Sequence, residues 1–214
     1  MASGSRAAGD AATAIARSAI KKLLKGRKLE FKPKGHVDRP HVTVPRSNNY
    51  TKDLPKPFKK DGKWQIHIKQ HDKWNSKDFR EKADTMKKAG QDGELKYVKD
   101  TGSHRTGEQA KRRDIDEEQA VKEAVDMEDA GDLAGAQKHL DSRLREMDLQ
   151  EADHVKELQV GGKDALDNLK MIDGTTNHGM GGQIRSQIRH ADKAGMADGD
   201  LIAIVELPGI MSNR

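Results

Sequence analysis

The segment "EADHVKELQVGGKDALDNLKMIDGTTNHG", residues 151–179, holds the densest polar chemistry in the chain. Asp153-His154 opens it, Asn168 follows His154 by 14 residues, and Asn177-His178 begins 23 residues after His154. An imidazole can take a proton near neutral pH. A carboxylate and an amide carbonyl are hard oxygen donors, and Mg²⁺ takes one or two of these while keeping several waters. A divalent metal supplies the Lewis acid that neutralises charge and stabilises a leaving oxygen. These are the needs of phosphodiester hydrolysis. The plainer reading is a pair of strands and a turn, in which Asp and Asn only make local Asx-turn bonds.

The elements that would bring these residues together follow from the pattern. "DHVKELQV", 153–160, has the composition of a short strand. "GGKDALDN" is a turn rich in Gly and Asp, and "LKMID", 169–173, is a second strand. A helix should begin within 175–182, with Ile184, Ile188 and Ala191 along one side. The glycines at 179, 181 and 182 leave its start open.

In this order, Asp153-His154, Gly161-Gly162, Asn168-Leu169 and Asn177 resemble the HNH endonucleases, whose ββα-metal fold runs strand, loop, strand, helix. The fuller string is similar to HNH-type nuclease modules at the C-termini of bacterial polymorphic toxins. The resemblance covers roughly residues 105–190, and its specific motif lies within 153–188. It implies His154 as general base, Asp153 as a metal-binding residue beside it, and Asn177 as the metal ligand at the start of the helix. Asn168 matches the residue that holds the loop in place, and some members use it nearer the chemistry. His178 is an alternative ligand or a phosphate contact. The implied cofactor is a divalent metal, Mg²⁺ first, with Mn²⁺, Ni²⁺ or Zn²⁺ as alternatives. The implied partners are a DNA substrate, a cognate immunity protein, and a secretion machine or larger polypeptide as carrier into a target cell. A phage or housekeeping HNH nuclease and a non-catalytic basic nucleic-acid-binding protein are the competing readings.

The composition narrows the rest. There are no cysteines, so thiolate zinc and disulfides are excluded. No "HExxH" helix occurs, and no apolar run is long enough to span a membrane. The N-terminus shows no apolar secretory stretch, so synthesis in the cytoplasm without a cleaved signal is expected. Only 33% of residues are hydrophobic and 35% are charged, which is lean for one core of 214 residues.

The net charge of +5 is unevenly spread. Residues 1–60 hold 15 Lys/Arg against 4 Asp/Glu, whereas residues 106–152 hold 7 against 14. A basic arm suits an anionic partner. Lys156, Lys163, Arg185 and Arg189 are candidate phosphate contacts beside the motif, with further cations expected from residues 59–113. Contacts of that kind give little sequence specificity.

The fold class expected is α+β: a helix-rich domain over 106–214 carrying the ββα-metal motif, a small α/β lead-in over 61–105, and a basic, partly irregular region over 1–60. Within these, 10–26 reads as a helix capped by Asp10 and stopped by Gly26. Residues 27–62 carry five of the six prolines and short extended pieces such as "HVTV". "KWQIHIKQ", 63–70, reads as a strand, and 75–90 as a helix capped by Ser76. A helix pair interrupted at Gly131 fills 105–148, with Ile115 and Val121 in one apolar stripe and Leu140 and Leu144 in the other. Residues 1–60 carry no motif residue, so hydrolysis should survive truncation to about residue 60.

Overall fold

The computed structural model of the chain describes residues 4–32, 50–100 and 108–212. In chain order its elements are α1 (Gly4–Leu23), β1 (Phe58–Lys60), β2 (Lys63–Ile68), α2 (Ser76–Gln91), α3 (Glu108–Asp129), α4 (Leu133–Asp148), β3 (Gln150–His154), β4 (Leu169–Asp173), α5 (Gly174–Lys193) and β5 (Ile202–Glu206). The class is α+β. Contacts divide the chain into two units, Met1–His41 with Thr106–Ala152, and Val42–Arg105 with Asp153–Arg214. This grouping cuts across the three sequence segments. The N-terminal helix goes with 106–152, and the lead-in goes with the motif. "HVTV" lies outside the described residues.

The first unit is helical. α1 ends in a turn at Gly26, whose φ of +79° only glycine adopts cheaply. Asp132 caps α4, its carboxylate accepting the Gly135 N–H at 2.8 Å. Ala120, Val121, Ala124 and Val125 of α3 pack with Ala136, Leu140, Leu144 and Met147 of α4, and Ile20 of α1 joins them. Two residues expected on apolar faces, Ile15 and Ile115, are instead exposed. The Arg27 guanidinium pairs with Asp129 at the end of α3, and Gln137 exchanges hydrogen bonds with the Glu30 backbone at 2.8 and 3.0 Å.

The second unit is built on a three-stranded sheet of order β1-β2-β5. β1 and β2 form a hairpin with Lys60 opposite Lys63. Its two-residue turn, Asp61-Gly62, has φ of 49° and 76°, the mirror-image turn geometry that an Asp-Gly pair favours. β5 runs parallel to β2 from Trp64↔Ile202 to Ile68↔Glu206. α2 and α5 bury Phe79, Ala83, Met86, Met180, Ile184 and Ile188 in the core with Ile66, Ile68, Ile202 and Ile204. The cap of α2 is Asn75 rather than Ser76. The Asn75 Oδ1 accepts from Lys77 N and Asp78 N, while the Ser76 hydroxyl accepts from Gln70.

β1 is too short to cover all of β2, and α5 completes the cover. Gln187 Oε1 accepts the His67 N–H at 3.3 Å. Gln183 Oε1 accepts the Lys69 N–H, and its amide donates to the Lys69 and Tyr50 carbonyls, all three at 3.0 Å. Gln187 also donates to the Pro55 carbonyl at 3.0 Å. Tyr50 itself is buried in this core. Residues 50–60 therefore belong to the unit that carries the motif, and a truncation to residue 60 would strip part of that core.

Candidate active site

β3 and β4 form a second, two-stranded sheet, and α5 follows β4 without a loop. β4 covers the expected 169–173. The first strand is displaced from the expected 153–160: it ends at His154, and a 3-10 turn occupies Leu158–Val160. The cause is Asn168. Its Oδ1 accepts the Lys156 N–H at 2.8 Å, and its amide donates to the Lys156 and Lys163 carbonyls at 2.9 and 2.8 Å. The side chain thus takes the place of a strand partner and turns the chain into a closed loop. Gly162 lets that loop close, because a Cβ there would fall 1.8 Å from the Lys156 carbonyl oxygen.

The helix start is set by Asp173, whose carboxylate accepts both the N–H and the hydroxyl of Thr176 at 2.8 Å. Gly179 is inside α5, where a Cβ would collide with the Trp74 ring at 2.2 Å.

His154 is buried at the end of β3. Its Nε2 lies 2.7 Å from Asp164 Oδ1, and both side chains are nearly sealed, at 4% and 3% exposure. Against an ionised carboxylate, which only accepts, Nε2 is the donor of this bond. His154 lines a cavity of about 390 Å³ together with Asp153, Val155, Lys82 and Ile172. Asp78, Glu81, Asp84, Thr85 and Lys170 line the same cavity.

Asp153 pairs with Lys82 of α2, and the same ammonium lies 2.7 Å from Glu157 Oε1. Lys82 is 3% exposed. Burial pushes its pKa down, but the charges of Glu157 and Asp153 outweigh this and raise it above the ordinary lysine value. Burial raises the Asp153 carboxyl, Lys82 opposes this, and the neighbouring Glu157 charge adds to it. Two carboxyl groups thus share one buried ammonium.

α5 extends the site along one ridge. Asn177, Gly181, Arg185 and Arg189 recur at four-residue steps, the row that runs along a helix surface. A Cβ on Gly181 would stand 3.5 Å from Glu157 Oε1, so this ridge meets the Glu157 carboxylate. Asn177, one turn before Gly181, is half-buried, and Arg185 and Arg189 are exposed. His178 is exposed, about a quarter turn round the helix from Asn177. Of the other expected phosphate contacts, Lys163 is exposed and Lys156 pairs with Glu94. Lys87, Lys88, Lys111 and Arg112 are also engaged with carboxylates. Arg105 lies outside the described residues.

Sequence reasoning missed three polar residues of the site: Lys82, Glu157 and Asp164. Glu157 and Asp164 lie within the motif segment, where an acidic residue reads as strand or turn surface. Nothing in the sequence pairs Lys82 with Asp153. Among the described residues no cluster of three His, Cys, Asp or Glu side chains forms a ready metal site. The donor chemistry nevertheless suits a hard cation, since two carboxylates converge on one positive charge. Comparison with protein-family models, curated proteins and solved structures finds no match to this chain.

Proposed function

We propose that the second unit is a metal-dependent endonuclease of the HNH type, with residues 153–188 as its catalytic element. The observation that carries this reading is His154. It sits at the end of β3 with Nε2 held by Asp164, and it lines a cavity beside Asp153. The Asn168 clamp and the strand, loop, strand, helix order support it.

In this reading Nδ1 of His154 takes a proton from the attacking water, and Asp164 holds the ring and stabilises the imidazolium that forms. Asp153 and Asn177 would hold a divalent metal, Mg²⁺ first, which when bound supplies Lewis acidity at the phosphate and leaving oxygen. Asn168 keeps the loop that follows the base in register. Arg185 and Arg189 offer positive charge to the phosphate backbone along the α5 ridge, which favours cleavage with little sequence preference.

The resemblance to toxin modules makes DNA the proposed substrate, an immunity protein the proposed partner, and delivery into a target cell the proposed route. The test is incubation with supercoiled plasmid, linear DNA and RNA, each with Mg²⁺, Mn²⁺, Ni²⁺ or chelator. Nicking of plasmid that chelator abolishes is expected. No hydrolysis of any substrate with any metal would contradict the assignment.

A further inference from the structure

We propose that Glu157 is a second carboxylate of the metal site, and that the Lys82 ammonium is a resident cation that holds Asp153 and Glu157 together until the metal displaces it. This rests on the nuclease reading for the metal but on Lys82 and Glu157 for everything else.

Three observations converge. Both carboxylates reach the same Nζ, so their oxygens face one point in space. Glu157 also abuts α5 at Gly181, one helical turn beyond Asn177, which brings its carboxylate to the ridge that carries the amide donor. The cavity over Lys82 and Asp153 is also lined by Asp78, Glu81 and Asp84 of α2 and by Lys170, which pairs with Glu81. Among its lining residues four carboxylates stand against two ammonium groups, an excess that draws a cation.

A compact ammonium on a flexible four-carbon stem is well suited to the role. It neutralises the carboxylates when no metal is present and can swing aside along the cavity without losing a proton. Exchange of one cation for another breaks no covalent bond.

The full-length chain is titrated with Mn²⁺ by calorimetry, without nucleic acid, and melted in chelator and in saturating Mn²⁺. Lys82→Met should bind Mn²⁺ about tenfold more tightly than wild type or better. It should melt lower in chelator and recover most of that loss in Mn²⁺, because the metal then supplies the missing charge. Glu157→Gln keeps the Lys82–Asp153 pair and should bind Mn²⁺ about tenfold more weakly or worse. If Lys82→Met folds only with Mn²⁺ present, that too is the expected behaviour. Unchanged or weaker binding by Lys82→Met, a melting deficit that Mn²⁺ does not relieve, or unchanged binding by Glu157→Gln would overturn the proposal. Should wild type still bind Mn²⁺ and nick plasmid in that case, the nuclease reading stands and only the roles of Lys82 and Glu157 fall. Absence of Mn²⁺ binding in every protein would remove both.

Discussion

Asn168 has both amide protons and one carbonyl lone pair committed to the backbone of residues 156 and 163. Its part is therefore to hold the loop after His154, and its loss acts through position. Asn168→Ala should cost about 1–3 kcal/mol for the backbone groups left unpaired and lower cleavage as the loop relaxes. Chemical denaturation and plasmid nicking, measured on one preparation, check the two effects together. Asp164 acts more directly, since it sets which nitrogen of His154 is basic. Asp164→Ala should lower the melting temperature, since buried His154 loses its partner, and lower cleavage by about tenfold or more; an unchanged rate would show that the ring needs no orienting partner. The His154 and Asn168 positions were legible because residue type and spacing carry them locally. Lys82 was not, because its partner lies 71 residues away and a lysine in an amphipathic helix reads as solvated surface.

At the scale of elements, β4 and the helix caps at Asp132 and Asp173 follow from short-range chemistry. β5 does not announce itself in the same way: it pairs in parallel with a strand more than 130 residues earlier, and only the assembled sheet gives it a place. The first strand of the motif was misplaced for a related reason. "DHVKELQV" has the composition of a strand through residue 160, but the Asn168 side chain bonds the backbone of Lys156, where a strand would continue. The glycines of α5 read as uncertainty in its start, yet Gly179 serves helix packing against Trp74. Gln183 and Gln187 lend α5 a further role as partner to β2. Gln183→Ala should cost about 1–3 kcal/mol for each buried backbone group it strands, read as a lower denaturation midpoint with an unchanged slope. Asp200 ties the hairpin to the turn before β5. It accepts from Ala197 N and the Trp64 indole at 3.0 Å and from Lys59 at 3.4 Å. The Ala197 N–H first, then Trp64 and Lys59, hold its carboxyl below the usual aspartate value. A depressed folded-state value stabilises above the unfolded pKa and loses that effect as pH falls through the folded one. The melting difference between wild type and Asp200→Asn should therefore be present near neutrality and shrink as pH drops below about 4.

For the whole molecule, the charge asymmetry along the sequence does not map onto the two units, because the basic N-terminal helix packs with the acidic α3 and α4. Truncation should follow the units rather than the charge. Removal of residues 1–32 leaves Tyr50, Leu54 and β1 in place, and metal-dependent cleavage should remain measurable at low salt. Removal of residues 1–60 also takes the Tyr50 and Pro55 carbonyls that bind Gln183 and Gln187, and the motif-bearing unit should melt lower. No helix among the described residues is long and apolar enough to cross a membrane. The most direct measurement is plasmid cleavage by the full chain, wild type against His154→Ala, at equal concentration in saturating Mg²⁺. Loss of the general base should slow cleavage by about 10²–10⁴-fold while circular dichroism stays close to wild type and melting falls modestly, because the buried Asp164 carboxylate loses its His154 partner. Equal rates from the two proteins would contradict the account, because the buried histidine at the end of β3 would then have no part in the chemistry.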